Sequence, residues 1–337
     1  MPQEIAECMK SDAAGSVPNS PSAVVQLIRL PGRMNSGDSS HELASSGYQE
    51  IVRESLASYT HQVGGHAVLV KPKDSSMVLK PFDEAEYEFY DQRVLAECSS
   101  LLPFTARCFG EVSVAPSSQA KSCKYVMLED LAHGLSRPNI LDLKMGVKQR
   151  SIRNYSPQKV ASKEAKSFQS TSHLLGFRIG GAQLYSGRDS LCCYNKYAGR
   201  EQSVSDTYSI LTAFFTDSLM HELQIYVIEE FIRKLESLKL VVQQLHGFRF
   251  WSGSILLIYD ADDSAPILRM IDFANYTKIE SSTDPDFEYL FGIDSLLSFF
   301  RAISNKNPHP PEIDSPPDFK IQDYELQQAV SRYAHNG

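Results

Sequence analysis

The segment Arg137-Pro138-Asn139-Ile140-Leu141-Asp142-Leu143-Lys144-Met145-Gly146 places a carboxylate and an ammonium two residues apart. In an extended chain side chains alternate between faces, so Asp142 and Lys144 then point the same way. An anion beside a cation suits the gripping of a polar ligand; it also describes a plain ion pair at a strand end. The stretch that follows is more telling. Between Lys144 and Lys166 seven cations (Lys144, Lys148, Arg150, Arg153, Lys159, Lys163, Lys166) stand against one anion, Glu164, in a chain of formal charge −8. Such an island is either a solvated helix face or a seat for a compact, multiply phosphorylated anion.

A second carboxylate stands out in Ile271-Asp272-Phe273, after the apolar run Ile267 to Met270. Buried carboxylates are uncommon unless paired or metal-bound, and a structural cap or an ion pair with Arg269 is the simpler alternative. In phosphoryl transfer, a strand-end aspartate of this kind holds Mg²⁺ against nucleotide phosphates. A lysine on a strand of a smaller lobe grips those phosphates. Lys80, in Met77-Val78-Leu79-Lys80, fits the second role.

These residues need a scaffold, and 337 residues suffice for one large domain or two small ones. Residues 1–46, rich in Ser, Pro and Gly, read as a disordered leader. From 60 to 135 short apolar runs (Ala67 to Val70, Met77 to Lys80, Phe109 to Val114, Tyr125 to Leu128) suit antiparallel strands, with one helix between Asp83 and Glu97. A longer, more helical region follows. Val227, Phe231, Leu235, Leu238, Val242 and Leu245 describe an amphipathic helix, Ser254 to Tyr259 and Ile267 to Phe273 a hairpin, Phe287 to Ile303 a further helix, and Asp323 to Tyr333 a last short one. The organisation expected is a leader at 1–46, an N-lobe at 47–131 and a C-lobe at 132–337, with a phosphate-binding segment at 144–175.

The acidic balance argues against nucleic acid and anionic membranes as partners. No stretch of about 20 apolar residues occurs, and the N-terminus has no basic region followed by an apolar one. Cysteines at 8, 98, 108, 123, 192 and 193 form no CxxC pair, which points to a reduced cytoplasmic or nuclear compartment. A monomer is expected.

Pro138-x-x-x-Asp142-x-Lys144-x-Gly146 resembles the P-x-x-x-D-x-K-x-G signature of the inositol polyphosphate kinase family. Supporting blocks occur in the family's order over 60–300: Gln62-Val63-Gly64-Gly65-His66, Lys80-Pro81 followed by Glu88-Phe89-Tyr90, Asn195-Lys196-Tyr197-x-Gly199-Arg200, Phe248-Arg249-Phe250 and Arg269-Met270-Ile271-Asp272-Phe273-Ala274. Gln169-Ser170-Thr171-Ser172, Gly176-x-Arg178 and Asn195-Lys196-Tyr197 are most similar to the inositol hexakisphosphate kinases, with the multikinases as the alternative branch. The resemblance implies an α+β, two-lobed kinase with a small antiparallel-sheet N-lobe, using ATP and Mg²⁺ on an inositol polyphosphate. It implies Lys80 on the ATP phosphates, the backbone of Glu129 to Leu131 at adenine, Asp142 on the ribose hydroxyls, and Lys144 between γ-phosphate and substrate. Asp272 would hold the metal, and Lys159, Lys166 and Arg178 would face the inositol phosphate. Two departures bear on metal and phosphate geometry: Gly253-Ser254-Ile255-Leu256 keeps one serine of the family's Ser-Ser-Leu-Leu block, and Asn275 stands where a histidine is common. A non-catalytic module that binds inositol phosphates through the same island is the alternative of a different class.

Overall fold

Short runs rich in Val, Ile, Leu and aromatic residues form the strands, which segregate into two antiparallel sheets and a two-stranded ribbon. The structure is a computed structural model that describes residues 56–65, 67–90, 92–115, 123–149, 167–186, 190–194, 198–217, 219–260 and 265–317, the strands at 24–28 and 50–51, and a few positions elsewhere. The first sheet has the order β2-β1-β6-β7-β5-β4-β3. Its strands are β1 (Val24–Ile28), β2 (Glu50–Ile51), β3 (Leu56–Ser58), β4 (Val70–Pro72), β5 (Met77–Pro81), β6 (Cys108–Ala115) and β7 (Cys123–Glu129). Leu79, Val112, Val114 and Met127 form its small apolar core.

Three details differ from the sequence expectations. Val24–Ile28, within the span read as a leader, is a strand paired with β6, in keeping with its Val-Val-Gln-Leu-Ile run. The run at 67–70 enters the sheet only at Val70, because the Gln62 side chain donates to Ala67 O (2.6 Å) and accepts from Leu69 N (2.9 Å), drawing 67–69 into a loop. The single helix expected over Asp83 to Glu97 is two, α1 (Glu84–Phe89) and α2 (Gln92–Glu97), followed by a 3₁₀ turn at Ser99–Phe104. Asp83 starts α1 by accepting from the amides of Ala85 and Glu86.

The second sheet, β10-β9-β8-β12-β13, belongs to the region read as more helical. It is built from β8 (Pro138–Met145), β9 (Phe177–Ser186) and β10 (Ser190–Tyr194), followed after three helices and a further strand by the hairpin β12 (Ser254–Asp260) and β13 (Ile267–Ile271). The helices are α3 (Ser172–Leu175), α4 (Ala198–Glu201), α5 (Val204–Phe214), α6 (Ile225–Gln244) and α7 (Phe287–Ser304). A small ribbon pairs β11 (Phe248–Phe250) with β14 (Tyr276–Lys278). α6 buries Val227, Phe231, Leu235, Leu238 and Val242, the stripe expected from the sequence, and packs with α7 in the main core. Of the last expected helix, Tyr324, Glu325 and Gln327 are helical, and the rest lies outside the described residues.

Arg249, fully buried in β11, ties this C-terminal stretch to the ribbon. It donates from Nε to Glu325 Oε2 (2.8 Å) and from Nη2 to Glu325 Oε1 (2.6 Å), with further bonds to Ser282 Oγ and to the Phe248 and Asp284 carbonyls. A buried guanidinium requires this density of partners. Among the described residues no helix is long and apolar enough to cross a membrane.

Candidate active site

Four charged side chains, two on strands of the two sheets, one on α1 and one just past β13, meet at one point. Lys80, near the end of β5, donates to Glu86 Oε1 and to Asp272 Oδ1, each at 2.8 Å. Lys144 of β8 donates to the other Asp272 oxygen, Oδ2. Asp272 therefore pairs with two lysines, one from each lobe. It does not pair with Arg269, which donates to the Leu268 carbonyl, and Lys144 does not take its near neighbour Asp142 as its hydrogen-bond partner.

Local structure explains this placement. Asp272 follows β13 with φ 65°, a left-handed backbone that aspartate tolerates better than most residues. Phe273 beside it stacks on Phe89 of α1, ring centroids 3.7 Å apart, and its amide donates to Glu86 Oε1 (3.3 Å). One short helix thus fixes both Lys80 and the Asp272 turn. Burial works against charge on Asp272, but Lys144 and Lys80 outweigh it and hold the carboxyl well below the usual carboxylate range. Burial likewise opposes the charge on Lys80, and Asp272 with Glu86 outweighs it, so Lys80 stays cationic with its pKa raised. For Glu86 burial prevails over Lys80 and pushes the carboxyl up.

Asp142 lies on β8 with 2% exposure. Burial raises its pKa, opposed by Lys144 and reinforced by Asp272. Three glycines surround it. A Cβ on Gly64 would overlap Asp142 Oδ2, one on Gly180 would crowd Oδ1, and one on Gly181 would overlap the Val63 carbonyl. The Gln62-Val63-Gly64-Gly65 bend of the first lobe therefore rests on the second at Asp142. Gln62 shapes the bend, donating to Gly64 O (3.0 Å) as well as to Ala67 O.

These groups line a cavity of about 580 Å³ between the sheets. Glu129 and Leu131 form its wall where the chain crosses from β7 to the second lobe. Arg178 sits opposite Lys144 in the β8–β9 register, with α4 against β9 placing Arg200 beside it. Burial and the Arg200 guanidinium pull Arg178 below its ordinary pKa, so this end of the cavity is electropositive. Buried Glu288 of α7 accepts from the amides of Val147 and Lys148, both at 3.1 Å, and so fixes the turn that leads from Lys144 into the basic island.

The structure thus brings Lys80, Lys144, Asp142, Asp272, Arg178, Glu129 and Leu131 to one cavity. Lys159 and Lys166 lie outside the described residues. Sequence reasoning did not single out Glu86 or Arg200, and for Asp130 it named only the backbone of the Glu129 to Leu131 segment, not the side chain, which also lines the cavity. Glu86 was discoverable, since a lysine ending a strand and a glutamate in the next helix form a recurrent phosphate-site pair. Among the described residues no group of three or more His, Cys, Asp or Glu could hold a metal ion. A hard divalent cation that draws most ligands from phosphates and water needs only one or two carboxylates, and Asp272 meets that requirement.

Residues 125–301 match the family model for inositol polyphosphate kinase. Inositol hexakisphosphate kinase 3 of Mus musculus is 34% identical over 207 residues, covering 54% of this chain and 52% of that protein. The match spans about half the length of that relative. Inositol hexakisphosphate kinase 1 of Homo sapiens is 30% identical over 336 residues, covering 82% of this chain and 74% of that protein. Among solved structures, the inositol phosphate multikinase Ipk2 of S. cerevisiae, in complex with ADP and Mn²⁺, aligns with a TM-score of 0.57 at 22% identity, covering 67% of this chain and 98% of that chain. That likeness is one of fold.

Proposed function

The chain belongs to the inositol polyphosphate kinase family, and on that premise we propose that it transfers the γ-phosphoryl group of ATP to inositol hexakisphosphate, giving a diphosphoinositol pentakisphosphate. The observation that carries the reading is the convergence of Lys80 and Lys144, one from each lobe, on Asp272 in an interlobe cavity whose far end holds Arg178 and Arg200.

The problem to be solved is electrostatic, because two polyanions must approach within bonding distance. Lys80 and Lys144 supply fixed positive charge where the γ-phosphate would lie, and their protonation is secured by Asp272. Lys144 is placed to contact donor and acceptor together. Asp272 would hold Mg²⁺, which supplies charge neutralisation at the transferring phosphate. Asp142 would accept from the ribose hydroxyls, and the backbone around Glu129 and Leu131 would meet the adenine. Arg178, Arg200 and the island containing Lys159 and Lys166 would hold the acceptor's other phosphates. An acceptor phosphate is already ionised at neutral pH, so the reaction needs no strong general base. The sheets and the Glu288-anchored turn hold these groups in line, which is where the rate gain of positioning arises.

The test is incubation with Mg-ATP and inositol phosphates from the trisphosphate to the hexakisphosphate, with products resolved by charge. Conversion of the hexakisphosphate to a more anionic product supports the reading. Conversion of the lower members alone would point to ring-hydroxyl phosphorylation of the multikinase kind, and binding without turnover to a non-catalytic module.

A further inference from the structure

Asp130, between the two hinge residues Glu129 and Leu131, uses every polar atom it has. Its amide donates to Ser76 O (2.9 Å), and its carbonyl accepts from His133 N (3.1 Å). Oδ1 accepts from the Tyr59 hydroxyl (2.6 Å) and from Ala132 N (3.0 Å), and Oδ2 pairs with Lys71. The carboxylate is almost wholly buried, with 1% of the side chain exposed.

Tyr59 and Lys71 are the two ends of one segment. Between them lies the Gln62-Val63-Gly64-Gly65 bend that packs against Gly181 and Asp142. The Tyr59 amide also donates to Leu69 O (3.0 Å), which closes the segment on itself. Both ends of this loop are therefore fastened to a single carboxylate on the crossover between lobes. A carboxylate accepting three charge-assisted or buried hydrogen bonds is a stiff anchor in a low-dielectric setting. Its orientation fixes the height of the bend over the cavity.

We propose that Asp130 is a positioning residue for the nucleotide: through Tyr59 and Lys71 it holds the 62–65 bend over Asp142, so that hinge and loop grip opposite sides of the nucleotide together. The inference rests on the nucleotide site assigned above. It makes nucleotide affinity, and not acceptor affinity, the property that depends on Asp130. Arg178 and Arg200, at the other end of the cavity, stand on β9 and α4 and are not among the groups bonded to Asp130.

Equilibrium binding of a non-hydrolysable Mg-ATP analogue and, separately, of inositol hexakisphosphate to the full chain tests this. Tyr59→Phe removes one hydroxyl and keeps the ring; Lys71→Gln removes the ion pair and keeps most of the stem. Each is expected to raise the nucleotide Kd about tenfold, with the hexakisphosphate Kd unchanged within about twofold. Because both act through one carboxylate, the double variant should lose less than the product of the single effects. Wild-type nucleotide affinity in both variants, or equal weakening of both ligands, would overturn the proposal while leaving the kinase reading intact. Absence of nucleotide binding by the unaltered chain would overturn both.

Discussion

Lys80 reaches from the first lobe to Asp272 of the second, 2.8 Å from Nζ to Oδ1, while Lys144 holds the other oxygen of the same carboxylate. This bridge joins the lobes at the point where the phosphoryl group would pass. It also keeps the Asp272 carboxylate ionised and oriented.

Asp272→Asn keeps the shape of the side chain and removes its charge. ATP-dependent turnover should fall by at least about 100-fold. Binding of inositol hexakisphosphate, followed by calorimetry, should be largely retained, because Arg178 and Arg200 would still hold the acceptor.

The proposed acceptor end should separate from the nucleotide end in kinetics. Arg200→Ala should raise the KM for the inositol phosphate about tenfold or more with little change in the KM for ATP. Lys159→Ala combined with Lys166→Ala should behave the same way. Equal effects on both substrates in steady-state kinetics would place these residues outside the acceptor site.

Gly181→Ala introduces a methyl group where the Val63 carbonyl lies against the strand. The bend must lift, and kcat/KM for ATP should drop about tenfold while the protein stays folded by circular dichroism. Ala at Gly134, where no atom lies within contact distance but φ is +80°, should cost stability and leave the ATP parameters unchanged.

Glu325→Gln leaves the Arg249 guanidinium buried without its charged partner. Urea unfolding should show a loss of about 3 kcal/mol. Activity at 25 °C should persist, since this network lies outside the cavity.

Much of the machinery was legible in the sequence. Asp142 and Lys144 were singled out by their spacing together with the resemblance that their motif carries, Lys80 by its place in an apolar strand, and the amphipathic stripe of α6 and the 254–273 hairpin by periodicity. Strands β9 and β10 of the second sheet were not, and for β9 the reason is physical. β9 carries Gly180-Gly181 at its centre, a composition that argues against a strand, yet those glycines are what let the Val63-Gly64 bend approach Asp142. The pairing of Asp272 was equally hidden. Its sequence neighbour Arg269 points to a backbone carbonyl, while its partners lie 128 and 192 residues away, brought in by sheet register and by the Phe273–Phe89 stack.

The central claim is phosphoryl transfer onto a phosphate already present on the acceptor. Phosphorus NMR of the product formed from inositol hexakisphosphate and Mg-ATP tests it most directly. The account predicts a pair of mutually coupled diphosphate resonances that appear as ATP is consumed. No new diphosphate signal, with ATP unconsumed or merely hydrolysed to free phosphate, would contradict it.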